Sequence, residues 1–213
     1  MPAPFTALTA VAAPLDLLNV DTDQLLPARL LRFPREHDGY DQFLLHDLRF
    51  DEAGAPAPGF VLNDPRYRDA QILVGTSNFG CGSARTGAVW ALAAAGFRAV
   101  IAVSFAGIFE QNCLQDGLLP VTLPTDEVAR LRRRLEADPG LRLTVDLEGQ
   151  SVATPDGATL RFAIDPYDKH KLLAGLDDVS MTAQYLPQIE AFESRVRRDA
   201  RWRWALTAEP DKS

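Results

Sequence analysis

A strand–loop–helix–strand unit occupies residues 71–103, QILVGTSNFGCGSARTGAVWALAAAGFRAVIAV. Its first four residues, in which Gln71 precedes three apolar residues, have the length of a short buried strand, and a loop follows at 75–82. A helix is predicted over 83–95, and Gly96 ends it at the position that favours a left-handed backbone. The apolar run 99–103 is a second buried strand. The order strand, helix, strand predicts two parallel strands of one sheet.

The same alternation continues beyond this unit. Further elements are predicted as a helix at 106–115, a strand at 119–122, an amphipathic helix at 126–137, a strand at 141–147 and a hairpin at 150–162. Upstream, the alternating apolar residues of 5–11 predict a strand. From Pro166 onward, the spacing of the apolar residues predicts helices. These elements predict an α/β fold with a parallel βαβ core and C-terminal helices.

The 213 residues suit one domain, which we expect to span residues 1–205 before a frayed tail at 206–213. Residues 34–70 show little periodicity. A stretch of that length without regular elements is usually functional or mobile. We therefore expect a mobile region at residues 31–59.

Composition excludes several classes of partner. The net charge is -7 and the pI is near 5.0, which disfavours a nucleic-acid binder because phosphates must be met by clustered Lys and Arg. No apolar run approaches the roughly 20 residues of a membrane span. The N-terminus lacks a basic stretch followed by a long apolar one, so no signal peptide is expected. The sequence therefore predicts a cytoplasmic protein without a nucleic-acid or membrane partner.

The chain has two cysteines, Cys81 and Cys113. We expect both to be reduced thiols, because a disulfide scaffold needs more cysteines and a large core needs no disulfide. An iron–sulfur cluster is held by about three or four thiolates. We therefore predict that this chain binds no metal or cofactor, and that any such cluster lies on another polypeptide.

The loop between the first strand and the helix carries the candidate chemistry. Gly80 and Gly82 allow sharp turns and a close backbone approach to a ligand. Ser83 is predicted at the N-cap of the helix, where unpaired amides and the helix dipole favour negative charge. Arg85 adds a planar donor that can hold a carboxylate. This predicts an anion site containing a hydroxyl, although Gly-rich turns and N-cap serines also occur for stability alone.

The residues Asn78-Phe79-Gly80-Cys81-Gly82-Ser83 resemble the signature of the isopropylmalate dehydratase small subunits, relatives of the swivelling domain of aconitase. Further stretches fit the same family in order, at 19–24, 27–29, 60–63, 89–92, 104–109, 112–113, 117–120, 165–166 and 175–178. The match runs from about residue 5 to 195. It implies the swivelling β/β/α domain of the aconitase C-terminal type.

The resemblance also implies an activity. The family dehydrates isopropylmalate and rehydrates the alkene to its positional isomer, in leucine synthesis. A large subunit holds a [4Fe–4S] cluster that binds the substrate, and the small subunit closes the site, as a heterodimer or heterotetramer. Carried over, Ser83 is the base and Arg85 binds a substrate carboxylate. The other implied site residues are Asn78, Phe79, Gly80 and Cys81 in the active-site loop, and Gly82, Leu31 and Phe33 at the substrate, with 31–59 as the substrate loop.

Two departures from the family pattern leave alternatives open. The usual continuation Ser-Ser-Arg-Glu-His-Ala is replaced by residues 83–88, SARTGA, and the segment 31–40 carries the atypical run 34–37, PREH. One alternative is the same reaction on a different hydroxy-diacid, such as a methylmalate, dimethylmalate, methylcitrate or homoaconitate. A second is a non-catalytic regulatory paralogue. A third, which the many family motifs disfavour, is a stand-alone anion-binding module.

Overall fold

The computed structural model describes residues 2–200. Its contacts divide the chain into two compact units, residues 1–175 and 176–213. The predicted single domain over 1–205 stays a prediction, and the predicted tail at 206–213 lies outside the described residues.

A seven-stranded sheet forms the centre of the first unit. Its strands are β1 (Ala7–Pro14), β2 (Ala70–Val74), β3 (Ala99–Ala102), β4 (Leu119–Thr122), β5 (Arg142–Asp146), β6 (Ser151–Ala153) and β7 (Thr159–Arg161). Their order is β4-β3-β2-β1-β5-β6-β7. Strands β1 to β4 are mutually parallel, whereas β5 to β7 join by antiparallel pairing. The predicted parallel core is confirmed.

Helices of this unit cover both faces of the sheet. They are α1 (Thr22–Leu25), α2 (His46–Arg49), α3 (Thr86–Ala94), α4 (Gly107–Asp116), α5 (Thr125–Ala137) and α6 (Pro166–Ala174). Because successive strand residues point to opposite faces, Leu73 joins the cluster containing Val89 of α3, whereas Ile72 joins the cluster containing Leu131 of α5. The connections β2–α3–β3 and β3–α4–β4 therefore place the β2–α3 loop at the carboxyl edge of the parallel strands.

The region at 31–59 is not devoid of structure. A short 3-10 helix at Tyr40–Phe43 lies in it and α2 follows, while another 3-10 helix, Ala28–Leu30, directly precedes it. Leu44 and Leu45 are fully buried. The half-buried Arg49 donates hydrogen bonds to the carbonyl oxygens of Asp41 (3.0 Å) and Leu44 (3.3 Å). The Arg49 bonds stay within the region, whereas Leu44 and Leu45 connect it to the core, and its mobility stays a prediction.

The second unit contains the helices α7 (Asp178–Ala183) and α8 (Leu186–Asp199). The Asp177 carboxylate caps α7 by accepting a hydrogen bond from the Ser180 amide at 2.7 Å. The predicted C-terminal helices are thereby confirmed. Within residues 2–200, no helix is long and apolar enough to cross a bilayer.

Candidate active site

The β2–α3 loop, residues 75–85, is held by two neighbouring segments of the chain. The amides of Gly80 and Cys81 donate to the carbonyl of Val20 at 2.8 and 3.2 Å. On the other side, the Phe79 amide donates to the carbonyl of Ser104 at 2.9 Å. The loop is therefore fixed between the segment that follows β1 and the segment that precedes α4.

Two glycines are required in this loop. Gly80 has φ +75°, and a Cβ there would overlap the ring of Phe109. Gly82 has φ +86°, and a Cβ there would lie 2.7 Å from the carboxyl carbon of Asp21. Both positions combine a left-handed backbone with a neighbour that leaves no space for a side chain. The predicted sharp turns at these two residues are present.

The predicted N-cap role of Ser83 is wrong. Helix α3 begins at Thr86, and its N-cap is Arg85, which has an extended backbone (φ -138°) and makes no side-chain cap. Contacts with the α1 segment keep Ser83 out of the helix, since the Thr22 hydroxyl donates to the Ser83 carbonyl at 2.7 Å. Ser83 thus lies in the loop, two residues before the N-cap of α3.

A cleft of about 190 Å³ opens at this loop. It is lined by Thr22, Gly80, Gly82, Ser83, Ala84, Arg85, Ala106, Gly107, Ile108 and Phe109. Ser83 is exposed, and Arg85 is partly buried with 20% of its side chain accessible. Four of the predicted site residues, Gly80, Gly82, Ser83 and Arg85, are therefore brought together. Asn78, Phe79 and Cys81 support the loop from outside the lining.

Arg85 forms an ion pair with Asp23. Asp23 lies within a capping box, in which Asp21 accepts a hydrogen bond from the Asp23 amide (2.6 Å) and the Asp21 amide donates to the Gln24 side chain (2.9 Å). The stretch 19–24 is one of the family motifs, but this pairing was not predicted from the sequence. The Asp-x-x-Gln spacing was the available signal. In this structure the Arg85 guanidinium therefore binds the carboxylate of Asp23.

Leu31 and Phe33 do not line this cleft. A methyl group of Leu31 lies 3.1 Å from where a Cβ at Gly87 would be, so Leu31 packs beside the first turn of α3. The Phe33 ring lies 4.5 Å from the His37 ring and 5.2 Å from the Phe43 ring, centroid to centroid. Leu31 thus lies near the site and Phe33 lies within the segment that follows it, and their contact with substrate stays a prediction.

Comparison with known proteins reveals the family. The model of the aconitase C-terminal domain matches residues 3–126, and a model described as LeuD_N matches residues 129–166. A 3-isopropylmalate dehydratase small subunit from Jannaschia sp. (strain CCS1) is 46% identical over 198 residues, covering 93% of this chain and 98% of the relative. The chain belongs to the 3-isopropylmalate dehydratase small-subunit family. The family predicted from the loop signature is confirmed.

More distant members of this small-subunit family show the same agreement. The small subunit from Brevibacillus brevis is 45% identical over 192 residues, which cover 90% of this chain and 98% of that protein. The crystal structure of a 3-isopropylmalate dehydratase from Methanocaldococcus jannaschii superposes with a TM-score of 0.59 at 27% identity, covering 89% of this chain and 98% of the other. The aconitase-type α/β fold is therefore shown by both sequence and structure.

The thiols of this small-subunit family member do not fit an iron–sulfur cluster. The Cys81 thiol donates to the carbonyl of Asn19 at 3.3 Å, and partial burial raises its pKa. Cys113 is fully buried in α4, and burial raises its pKa well above the ordinary value. Across the described part of the chain, no group of three or more His, Cys, Asp or Glu side chains is arranged to hold a metal ion. Two protonated thiols do not provide the ligands that a cluster needs.

Proposed function

We propose that this chain is the small subunit of a 3-isopropylmalate dehydratase, a hydro-lyase that interconverts 2- and 3-isopropylmalate together with a large subunit. The observation that carries the proposal is the exposed Ser83 hydroxyl in a cleft beside Arg85, in a chain of this family. The hydroxyl makes no hydrogen bond within residues 2–200, so it is available to a reacting group.

The residues of this chain have distinct roles in the proposed reaction. Dehydration removes a proton from the carbon next to a carboxylate and expels hydroxide. Ser83, as the alkoxide, accepts that proton and becomes the neutral hydroxyl, while Arg85 exchanges Asp23 for a substrate carboxylate and orients it. A serine hydroxyl is a very weak base, so the alkoxide must be stabilised by positive charge in a site that excludes water. Arg85 supplies that charge, and a partner surface over the cleft would exclude the water.

The large subunit completes the site in this proposal. The cleft is open on this chain alone, and its two thiols do not fit a cluster, so we assign the [4Fe–4S] cluster to the large subunit. Heterodimer and heterotetramer remain the two candidate assemblies. We place the enzyme in the cytoplasm, because both cysteines are free and thiols persist in reducing compartments. The hydroxy-diacid substrate contacts Leu31 and Phe33 with its alkyl group.

The packing around Gly87 bears on the alternative of a regulatory paralogue. The family histidine is replaced by Gly87, where a Cβ would lie 2.7 Å from a methyl carbon of Leu26 and 3.4 Å from the Tyr40 hydroxyl. The glycine is therefore a packing requirement of this chain. Its presence does not by itself argue for a lost activity. A substrate panel of isopropylmalate, methylmalate, dimethylmalate, methylcitrate and homoaconitate with the reconstituted pair separates the candidates.

The variant Ser83→Ala tests the proposed base. Mixed with the large subunit, it should assemble normally and lose about 100-fold to 10,000-fold in kcat, the usual contribution of general base catalysis. Assembly is followed by size-exclusion chromatography and turnover by alkene absorbance. Ser77→Ala, in the same loop but outside the cleft lining, is the matched control and should retain full turnover. Wild-type turnover by Ser83→Ala would refute the base assignment. Assembly without turnover of any diacid by the wild-type pair would indicate the regulatory paralogue.

A further inference from the structure

Arg35 connects the irregular segment 31–40 to two helices. Its guanidinium carbon lies 5.4 Å from the ring centroid of Trp90, which belongs to α3. Its Nη1 donates to Oδ1 of Asp116, the last residue of α4, at 2.6 Å. One side chain of the segment thus contacts both helices that flank β3.

The contacts of Arg35 are more sheltered than an ordinary surface ion pair. Only 13% of the Asp116 side chain is accessible, and its second oxygen, Oδ2, is buried without a hydrogen-bond partner among the described residues. A sheltered carboxylate is strongly disfavoured once its cation is removed. The cation–π contact with Trp90 adds a second attraction. The segment is therefore held more firmly here than an exposed Arg–Asp pair would hold it.

The rest of the segment provides little polar attachment of its own. The amides of Phe33, His37 and Tyr40 donate to Leu30, Pro34 and His37, so these bonds stay within the segment or its flank. Leu31 meets α3 only through apolar packing at Gly87, two residues after Arg85. Loss of the Arg35 contacts would therefore leave Leu31 and Phe33 held by apolar packing alone, with the buried Tyr40 at the end of the segment.

We propose that Arg35 is a positioning residue for the alkyl group of the substrate. It holds the segment in which Leu31 packs beside the first turn of α3 and Phe33 packs against His37 and Phe43, so that these apolar side chains are in place when Arg85 binds the carboxylate. This inference rests on the proposed function. Arg35 acts through the segment and has no contact with substrate.

The variant Arg35→Gln, assayed in the complex with the large subunit, tests the proposal. If the variant segment is in place about a tenth of the time, KM for 2-isopropylmalate rises about tenfold, while kcat stays within about twofold. For 2-methylmalate, which keeps both carboxylates but lacks the branched group, KM or Ki should change less than about twofold. Arg35→Lys should recover part of the loss. Arg134→Gln, which breaks an exposed Arg–Asp pair with Asp156, is the matched control and should change neither constant.

Trp90 fluorescence gives a second readout that requires no turnover. With Trp202 and Trp204 replaced by Phe, Trp90 is the sole tryptophan of the chain. Arg35→Gln should then shift its emission to longer wavelength and increase quenching by acrylamide, whereas Arg134→Gln should not. The proposal would be overturned if Arg35→Gln raised KM equally for 2-isopropylmalate and 2-methylmalate, or lowered kcat with KM unchanged. Unchanged acrylamide quenching of Trp90 in this variant would also overturn it. If the wild-type complex with the large subunit is inactive on isopropylmalate, the proposed function is refuted instead. The acrylamide quenching of Trp90 still shows whether Arg35 holds the segment against α3.

Discussion

At the scale of single residues, the active-site loop depends on positions that tolerate no side chain. Gly80 has a left-handed backbone and lies directly against Phe109. Gly54 has nearly the same φ, +79°, but nothing lies within 4 Å of where its Cβ would be. The two glycines therefore share the backbone requirement and differ in packing, which allows the two costs to be measured separately.

Gly80→Ala should lower the free energy of unfolding by about 2–5 kcal/mol, the sum of a left-handed alanine and an overpacked contact with Phe109. Gly54→Ala should lower it by about 1–2 kcal/mol, from the backbone alone. Urea titration followed by circular dichroism measures both variants. If Gly80→Ala and Gly54→Ala lowered the free energy of unfolding equally, the contact with Phe109 would add no cost beyond that of the backbone.

At the scale of elements, the turn between β6 and β7 contains the most strongly perturbed carboxyl group of the described chain. Asp156 accepts hydrogen bonds from the Thr154 hydroxyl and from Arg134 of α5. These bonds lower the pKa of Asp156 to about 2, with the Thr154 hydroxyl as the larger cause. The interaction ties the hairpin to α5, and its strength must depend on pH.

Because the folded pKa of Asp156 is lowered, its contribution to stability is present above the unfolded pKa of about 4 and is lost as pH falls toward 2. Asp156→Asn should therefore be less stable than wild type at pH 6, and the difference should shrink below pH 4. Urea unfolding at pH 6, 4 and 3 measures this. Asp69→Asn, exposed and without a hydrogen bond within residues 2–200, should show no such trend. If the stability difference between wild type and Asp156→Asn grew as the pH was lowered, the lowered pKa of Asp156 would be contradicted.

Helix α5 and helix α3 show where element prediction succeeds and fails. The helix predicted at 126–137 is observed at Thr125–Ala137, because its apolar stripe of Val128, Leu131 and Leu135 is a repeating signal. The helix predicted from Ser83 begins at Thr86. Local preference favours a serine N-cap there, but contacts with Thr22 and Asp23 hold the chain extended through Arg85. Such long-range contacts leave no periodic trace in the sequence.

At the scale of the whole molecule, the candidate site is assembled from three separate parts of the first unit. The α1 segment contributes Thr22, the β2–α3 loop contributes Ser83 and Arg85, and the start of α4 contributes Ile108 and Phe109. The cleft has an open side, and Ile108 is 56% exposed beside it. We expect a second chain to cover this surface during catalysis.

The purified chain alone should be colourless, contain no iron and turn over no isopropylmalate, since its donor set does not fit a cluster and its cleft is open. Addition of the cluster-loaded large subunit should produce activity that saturates at a fixed ratio of the two chains. Iron analysis, absorption spectra and a titration of turnover measure these outcomes. The large subunit alone serves as the control. Turnover by the isolated small subunit would contradict the two-chain site.

The α/β class, the parallel core, the two thiols and the family could all be predicted from the chain alone, because periodicity, residue counts and contiguous motifs are local properties. Three features required the folded structure: the contact between Thr22 and Ser83, which precedes helix α3, the pairing of Arg85 with Asp23, and the contacts of Arg35 with Trp90 and Asp116. Each joins residues far apart in sequence, and their proximity depends on how the strands and helices pack.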